Sequence, residues 1–157
     1  ATLAVLLLFA GLMQGFGAAL RAQDPLRPLA PLAGAAPAEA QFASVTTRAG
    51  LDRALAQAEG RPALLYVTAD WCVTCRAIER GPLADPAVHA ALAGLAAIKL
   101  DVSTFDAEAQ ALMQDLAAAG PPTMIFLDAR RAEAAGSRLV GAMDSAALLA
   151  SIGKVAR

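Results

Sequence analysis

The chain has 157 residues, enough for one ordinary domain plus accessories. Thirteen basic residues face 14 acidic ones, a net charge of -1, which argues against a nucleic-acid partner and against a polybasic membrane patch. The apolar share is 57%, above the roughly 45–50% usual for soluble domains, and two cysteines and one histidine leave little material for a metal centre.

The excess of apolar residues begins at the start. No charge occurs before Arg21, and as a helix this stretch would be roughly 30 Å long, about the thickness of a bilayer's hydrocarbon core. Residues 1–21 are therefore read as a transmembrane helix. A signal or anchor segment lacking its beginning, or a buried helix, are the alternatives; a secretory signal would carry a basic stretch ahead of the apolar run, and none is present. Residues 22–41 hold Pro25, Pro28, Pro31 and Pro37, which remove backbone donors and restrict their predecessors, so this is a semi-extended linker.

Residues 42–157 read as one compact domain. Phe42 to Val45 predicts a short strand and Arg48 to Ala58 a helix with Leu51, Leu55 and Ala58 inward, ended by Gly60. Ala63 to Thr68 fits a buried strand, and a helix can start at Cys72 and run to Arg80. Asp85-Pro86 is an N-cap and first-turn proline opening a short helix to about Leu92, where His89 is a surface or half-buried side chain. Ala96 to Asp101 is the next strand; Asp106 caps a helix carrying Ala109, Leu112, Met113 and Leu116 at helical spacing. Thr123 to Leu127 is a β-prone run after a Gly-Pro-Pro break, and Arg138 to Val140 closes a hairpin with it. Asp144 then caps a terminal helix with Leu148, Leu149, Ile152 and Val155 inward. The order β-α-β-α-β-α-β-β-α implies an α/β fold, a central mixed sheet covered by helices on both faces.

Chemistry concentrates at Ala69-Asp70-Trp71-Cys72-Val73-Thr74-Cys75-Arg76, where a strand ends and a helix begins. Residues three apart share a helix face, with Cβ atoms about 5–6 Å apart; a disulfide asks for about 3.5–4.5 Å, so the bond is feasible but tight. Cys72 would stand at the helix start, where free N–H groups and the helix dipole favour an anion and lower a thiol pKa. Cys75 lies one turn deeper. Cys72 is the predicted nucleophile and Cys75 the resolving thiol. Three plainer readings compete. Zinc would need two more ligands, and only His89 and carboxylates are on offer. A purely structural disulfide closing so short a loop contributes little entropy. Inert core cysteines sit poorly beside Asp70 and Arg76, which mark an exposed edge. Pro122, just before a β run, is admissible at a strand start, and its peptide bond can be cis or trans on local grounds.

W-C-x-x-C between strand and helix, followed by G-P-P-T from Gly120 to Thr123, resembles the thioredoxin superfamily. With Ala69 to Cys75, Glu79, the D-P-x-V block from Asp85 to Val88 and G-x-M-D from Gly141 to Asp144, the chain more closely resembles the C-terminal thioredoxin-like domain of the transmembrane thiol:disulfide interchange (DsbD) family. The apolar start then looks like the last helix of that family's membrane domain. The resemblance implies a protein-disulfide reductase of the bacterial inner membrane with this domain in the periplasm. It would take electrons from a membrane domain and pass them to periplasmic thiol/disulfide proteins, with no cofactor beyond the redox-active Cys72–Cys75 disulfide. By position it makes Pro122 a cis-proline facing the cysteines, Trp71 their packing neighbour and Glu79 the acid that tunes them.

Two positions depart from the pattern. Tyr66 stands where many such domains carry a buried acid, and Pro121, preceding Pro122, has no N–H to offer a bound strand. A single-anchor thioredoxin-like reductase for cytochrome c maturation and a non-enzymatic thioredoxin-fold binding module are the other readings of the same residues.

Overall fold

The computed structural model describes residues 2–19 and 41–155, with side chains for residues 2–12 and 41–155. The chain divides into two units, residues 1–38 and 39–157. In the first, helix α1 spans Thr2–Ala19. Leu3, Val5, Leu6, Leu7, Leu8, Phe9 and Leu12 are all exposed along it. Its 18 described residues correspond to about 27 Å of helix. Among the described residues no helix is long and apolar enough to cross a membrane. The linker expected over residues 22–41 falls, but for Gln41, outside the described residues.

In the second unit the elements are β1 (Ala43–Val45), α2 (Arg48–Gln57), β2 (Ala63–Thr68), α3 (Val73–Arg80), α4 (Pro86–Leu92), β3 (Ala96–Asp101), α5 (Ala107–Asp115), β4 (Thr123–Leu127), β5 (Leu139–Val140) and α6 (Ser145–Val155). A 3-10 turn over Pro82–Ala84 splits α3 from α4, so the second crossover carries two helices. The five strands form one mixed sheet in the order β1-β3-β2-β4-β5. β1 and β2 run parallel to β3, while β4 runs antiparallel to β2 and to β5. Helix α2 packs along β1 and β3, and α6 against β4 and β5.

Local chemistry sets the boundaries. Thr47, Asp85 and Asp106 each accept a first-turn N–H of the helix that follows, at 3.1, 2.8 and 2.9 Å, and Asp144 accepts that of Ala147 at 2.8 Å. β2 and β4 are buried along their whole lengths, which is why both read as unbroken apolar runs rather than alternating ones. Leu64, Leu65, Tyr66, Phe126, Met124 and Ile125 form the heart of the core. One expectation fails. Leu148, Ile152 and Val155 of α6 point inward, but Leu149 is 36% exposed and Ser151 takes the buried place. Leu149 follows Leu148 by about 100° around a 3.6-residue turn, and the sheet does not reach that far round the helix.

Candidate active site

β2, the central strand, delivers the chain to its carboxyl end and turns directly into α3. Cys72 is the N-cap of that helix, with extended dihedrals (φ -80°, ψ 99°), and its Sγ accepts the Cys75 N–H at 3.1 Å. The two sulfurs are bonded as a disulfide, with the Cα atoms 5.2 Å apart. Any anion on Cys72 Sγ would therefore rest on a free first-turn N–H and the positive end of the helix dipole. The sequence reading placed Cys72 at an exposed edge. It is more enclosed than that, 6% exposed against 1% for Cys75. Capping folds its sulfur back over the first turn, and the flanking Trp71 (52%) and Val73 (71%) take the solvent instead.

Asp70 and Trp71 are fixed by the loop after β3. The Asp70 N–H donates to Ser103 Oγ at 2.8 Å, and Trp71 Nε1–H donates to the Ser103 carbonyl at 3.1 Å. Arg76, in the first turn of α3, reaches back to the preceding loop and donates to the Asp70 carbonyl at 2.5 Å. The Pro121–Pro122 bond is cis. Thr123 pairs with Val67 across the antiparallel β2–β4 ladder, so Pro122 lies at the same end of the sheet as the start of α3. The Gly141 N–H donates to the Pro122 carbonyl at 3.0 Å, with Gly141 at a φ of +79° that a side chain would strain. An open depression lined by Leu139, Val140, Ala142, Met143, Asp144 and Ala147 adjoins this turn.

Glu79 is placed differently. It sits two turns along α3, half-buried, and accepts a hydrogen bond from Lys99 Nζ at 2.9 Å. Lys99 is paired in register with Tyr66 on β2, and its ammonium lies 5.5 Å and 5.9 Å from the ring centroids of Phe42 and Tyr66. Tyr66, fully buried, donates a long hydrogen bond (3.4 Å) to the carbonyl of Cys75. Burial pushes its phenol up to about 12, opposed by a hydrogen bond with Thr68 and reinforced by the Glu79 charge. Position 66 thus holds a neutral hydroxyl backed by the Lys99–Glu79 ion pair. Lys99 and Ser103 were not singled out from sequence. Asp-Val-Ser after a strand is an Asx-turn signature that points to Ser103, whereas nothing local points to Lys99. Among the described residues, no group of three His, Cys, Asp or Glu side chains is arranged to hold a metal.

A strand–Cys–helix corner at the same sheet end as a cis-proline turn, on a mixed five-stranded sheet, defines a thioredoxin-like protein. Residues 46–129 match the family model described as Thioredoxin-like, and the chain belongs to that family. Curated relatives are named thiol:disulfide interchange protein DsbD. Those from Salmonella paratyphi A, Pseudomonas aeruginosa (DsbD 2) and Ralstonia nicotianae are 38%, 40% and 39% identical over 74%, 85% and 94% of this chain. The chain spans only 21–26% of the length of these relatives. The fold is also that of the oxidised C-terminal domain of Neisseria meningitidis DsbD (TM-score 0.62, 23% identity, 72% of this chain and 99% of that one).

Proposed function

We propose that residues 42–157 are the thiol:disulfide exchange domain of a DsbD-type relay, a protein-disulfide reductase working through Cys72 and Cys75. The observation that carries this reading is the Cys72 sulfur seated as the N-cap of α3, bonded to Cys75 and flanked by the exposed Trp71. In the reduced state the Cys72 thiolate attacks one sulfur of a substrate disulfide, forming a mixed disulfide and releasing the other substrate sulfur as a thiolate that takes up a proton. Cys75, deprotonated, then attacks Cys72 Sγ, expelling the second substrate thiol and closing the Cys72–Cys75 disulfide. Two electrons leave the domain, and a donor dithiol must return them by the same exchange in reverse. No cofactor enters this cycle.

In this reading the electrons come from a membrane domain, and the acceptors are periplasmic thiol/disulfide proteins of the bacterial inner-membrane compartment. The row of exposed apolar side chains on α1 supports a membrane anchor over residues 1–21. Trp71, Val73 and the Pro121–Pro122 turn would meet the substrate. Pro121 lends a carbonyl and no N–H, which puts more of partner choice on shape.

Insulin reduction driven by dithiothreitol tests this. Turnover is expected in the wild type and is lost in Cys72→Ser and Cys75→Ser, with a trapped mixed disulfide accumulating only in Cys75→Ser. Undiminished turnover in Cys72→Ser rejects the reading. Membrane fractionation of chains with and without residues 1–21 tests the anchor.

A further inference from the structure

The loop from Asp101 to Asp106 supplies a clamp that no feature of the exchange chemistry requires. It begins where β2–β3 pairing ends, at Thr68 opposite Asp101, and is carried one residue further by the Val102 N–H, which donates to the Thr68 carbonyl at 2.9 Å. Ser103 then makes four hydrogen bonds at one point. Its N–H donates to Asp101 Oδ1 at 2.9 Å and its hydroxyl donates to the same oxygen. With that proton committed, Oγ is free to accept the Asp70 N–H at 2.8 Å. Its carbonyl accepts the Trp71 indole N–H at 3.1 Å. The far end of the loop is tied too, because Asp106 accepts from Thr104 Oγ1 at 3.1 Å while capping α5.

The indole held this way is half in solvent, 52% exposed. Its one polar tie to the rest of the fold among the described residues is the hydrogen bond to the Ser103 carbonyl. An exposed aromatic ring fixed in advance loses less freedom when a protein docks on it, and that saving appears in binding rather than in the chemical step. Ser103 bonds to neither cysteine.

We propose that Ser103, with its hydroxyl oriented by Asp101, is a positioning residue that presets Trp71 and the Asp70 backbone for docking of protein disulfides. This rests on the exchange activity proposed above, as a statement about which substrates the domain favours: extended protein disulfides over small ones.

Ser103→Ala, which keeps the carbonyl but removes the hydroxyl that pins it to Asp101 and to the Asp70 N–H, is compared with Ser103→Thr, which keeps a hydroxyl, and with Asp101→Ala, which removes that hydroxyl's acceptor. Each is assayed on insulin and on oxidised glutathione, and the anisotropy of the single tryptophan is followed in each. Ser103→Ala and Asp101→Ala raise KM for insulin about two- to tenfold, leave kcat and the glutathione rate within about twofold, and lower the Trp71 anisotropy; Ser103→Thr restores both. Wild-type KM and anisotropy in Ser103→Ala overturn the proposal. So does an equal slowing toward both substrates, which would place Ser103 in the thiol chemistry. If the wild type reduces no insulin, the exchange reading fails, and the anisotropy of the variants still decides whether the clamp exists.

Discussion

Lys99 Nζ stands 2.9 Å from Glu79 Oε1, and both side chains are about two-thirds buried between α3 and the sheet. The pair lies one turn beyond Cys75, with Tyr66 between the lysine and the Cys75 backbone. Two opposite charges so close largely cancel at the cysteines; either alone would not. Glu79→Gln leaves the lysine uncompensated and favours thiolates, so the cysteine pKa values fall. Lys99→Met leaves the carboxylate uncompensated, and they rise. Each shift should be a few tenths to about one unit, and the double variant should return close to wild type. Thiolate absorbance against pH, on reduced protein, gives the signs; two shifts in the same direction would mean the pair acts through packing instead.

Tyr66 offers a second pH test. Its phenol loses a proton less readily in the folded chain, at about 12 rather than 10.0. The neutral hydroxyl therefore supports the fold fully below the ordinary tyrosine value, and that support is lost as pH rises through the folded one. Tyr66 is the only tyrosine, so tyrosinate absorbance reads it directly. Tyr66→Phe should flatten the alkaline fall in urea-unfolding stability; a midpoint near 10 in the wild type would contradict the burial argument.

Arg138 holds Glu133 through two hydrogen bonds of 2.8 and 2.7 Å and also donates to the carbonyls of Leu116 and Ala117 at 3.0 and 2.9 Å. This fastens the β4–β5 connection to the end of α5. Arg138→Met is expected to cost about 1–2 kcal/mol, most of it from the two backbone carbonyls, since the ion pair is partly solvated. The hydrogen bonds from Arg138 hold the Glu133 carboxyl below the usual carboxylate range. That contribution is present above the ordinary glutamate pKa and fades as pH falls beneath it, so Glu133→Gln should soften acid unfolding below about pH 4. Chemical denaturation over a pH series checks both.

α6 supplies a comparison of neighbours. Leu148 is completely buried and Leu149 is not. Leu148→Ala should lose about 2–4 kcal/mol of stability and Leu149→Ala about 0.5 or less. Similar losses at both sites in thermal melts would mean the helix is rotated from the orientation described.

The strands were legible where breakers bound an apolar run. Ala63–Thr68, Ala96–Asp101 and Thr123–Leu127 have the spans their sequences imply, because Gly and Pro flank two of them and all three lack internal polar interruption on the core side. Asp85, Asp106 and Asp144 announced their helices, since capping is a local bond. The cysteine corner was legible for the same reason. Lys99 was not, because its partner lies 20 residues away and which strand stands beside which is decided by the whole sheet; for Ser103 the local turn to Asp101 was legible but its tie to Asp70, 33 residues away, was not. Leu149 was misread because an apolar side chain next to the inward face carries no mark of the sheet's width.

The atom that would begin each exchange is also the one that closes the first turn of α3. Serine is as good a cap as nature offers, so a Cys72→Ser protein should keep its shape while losing its trade. Quality control that recognises unfolded chains would pass it, and it would go on competing for the same clients. Such a chain is therefore expected to pass every test of folding and to fail only a test of disulfide exchange.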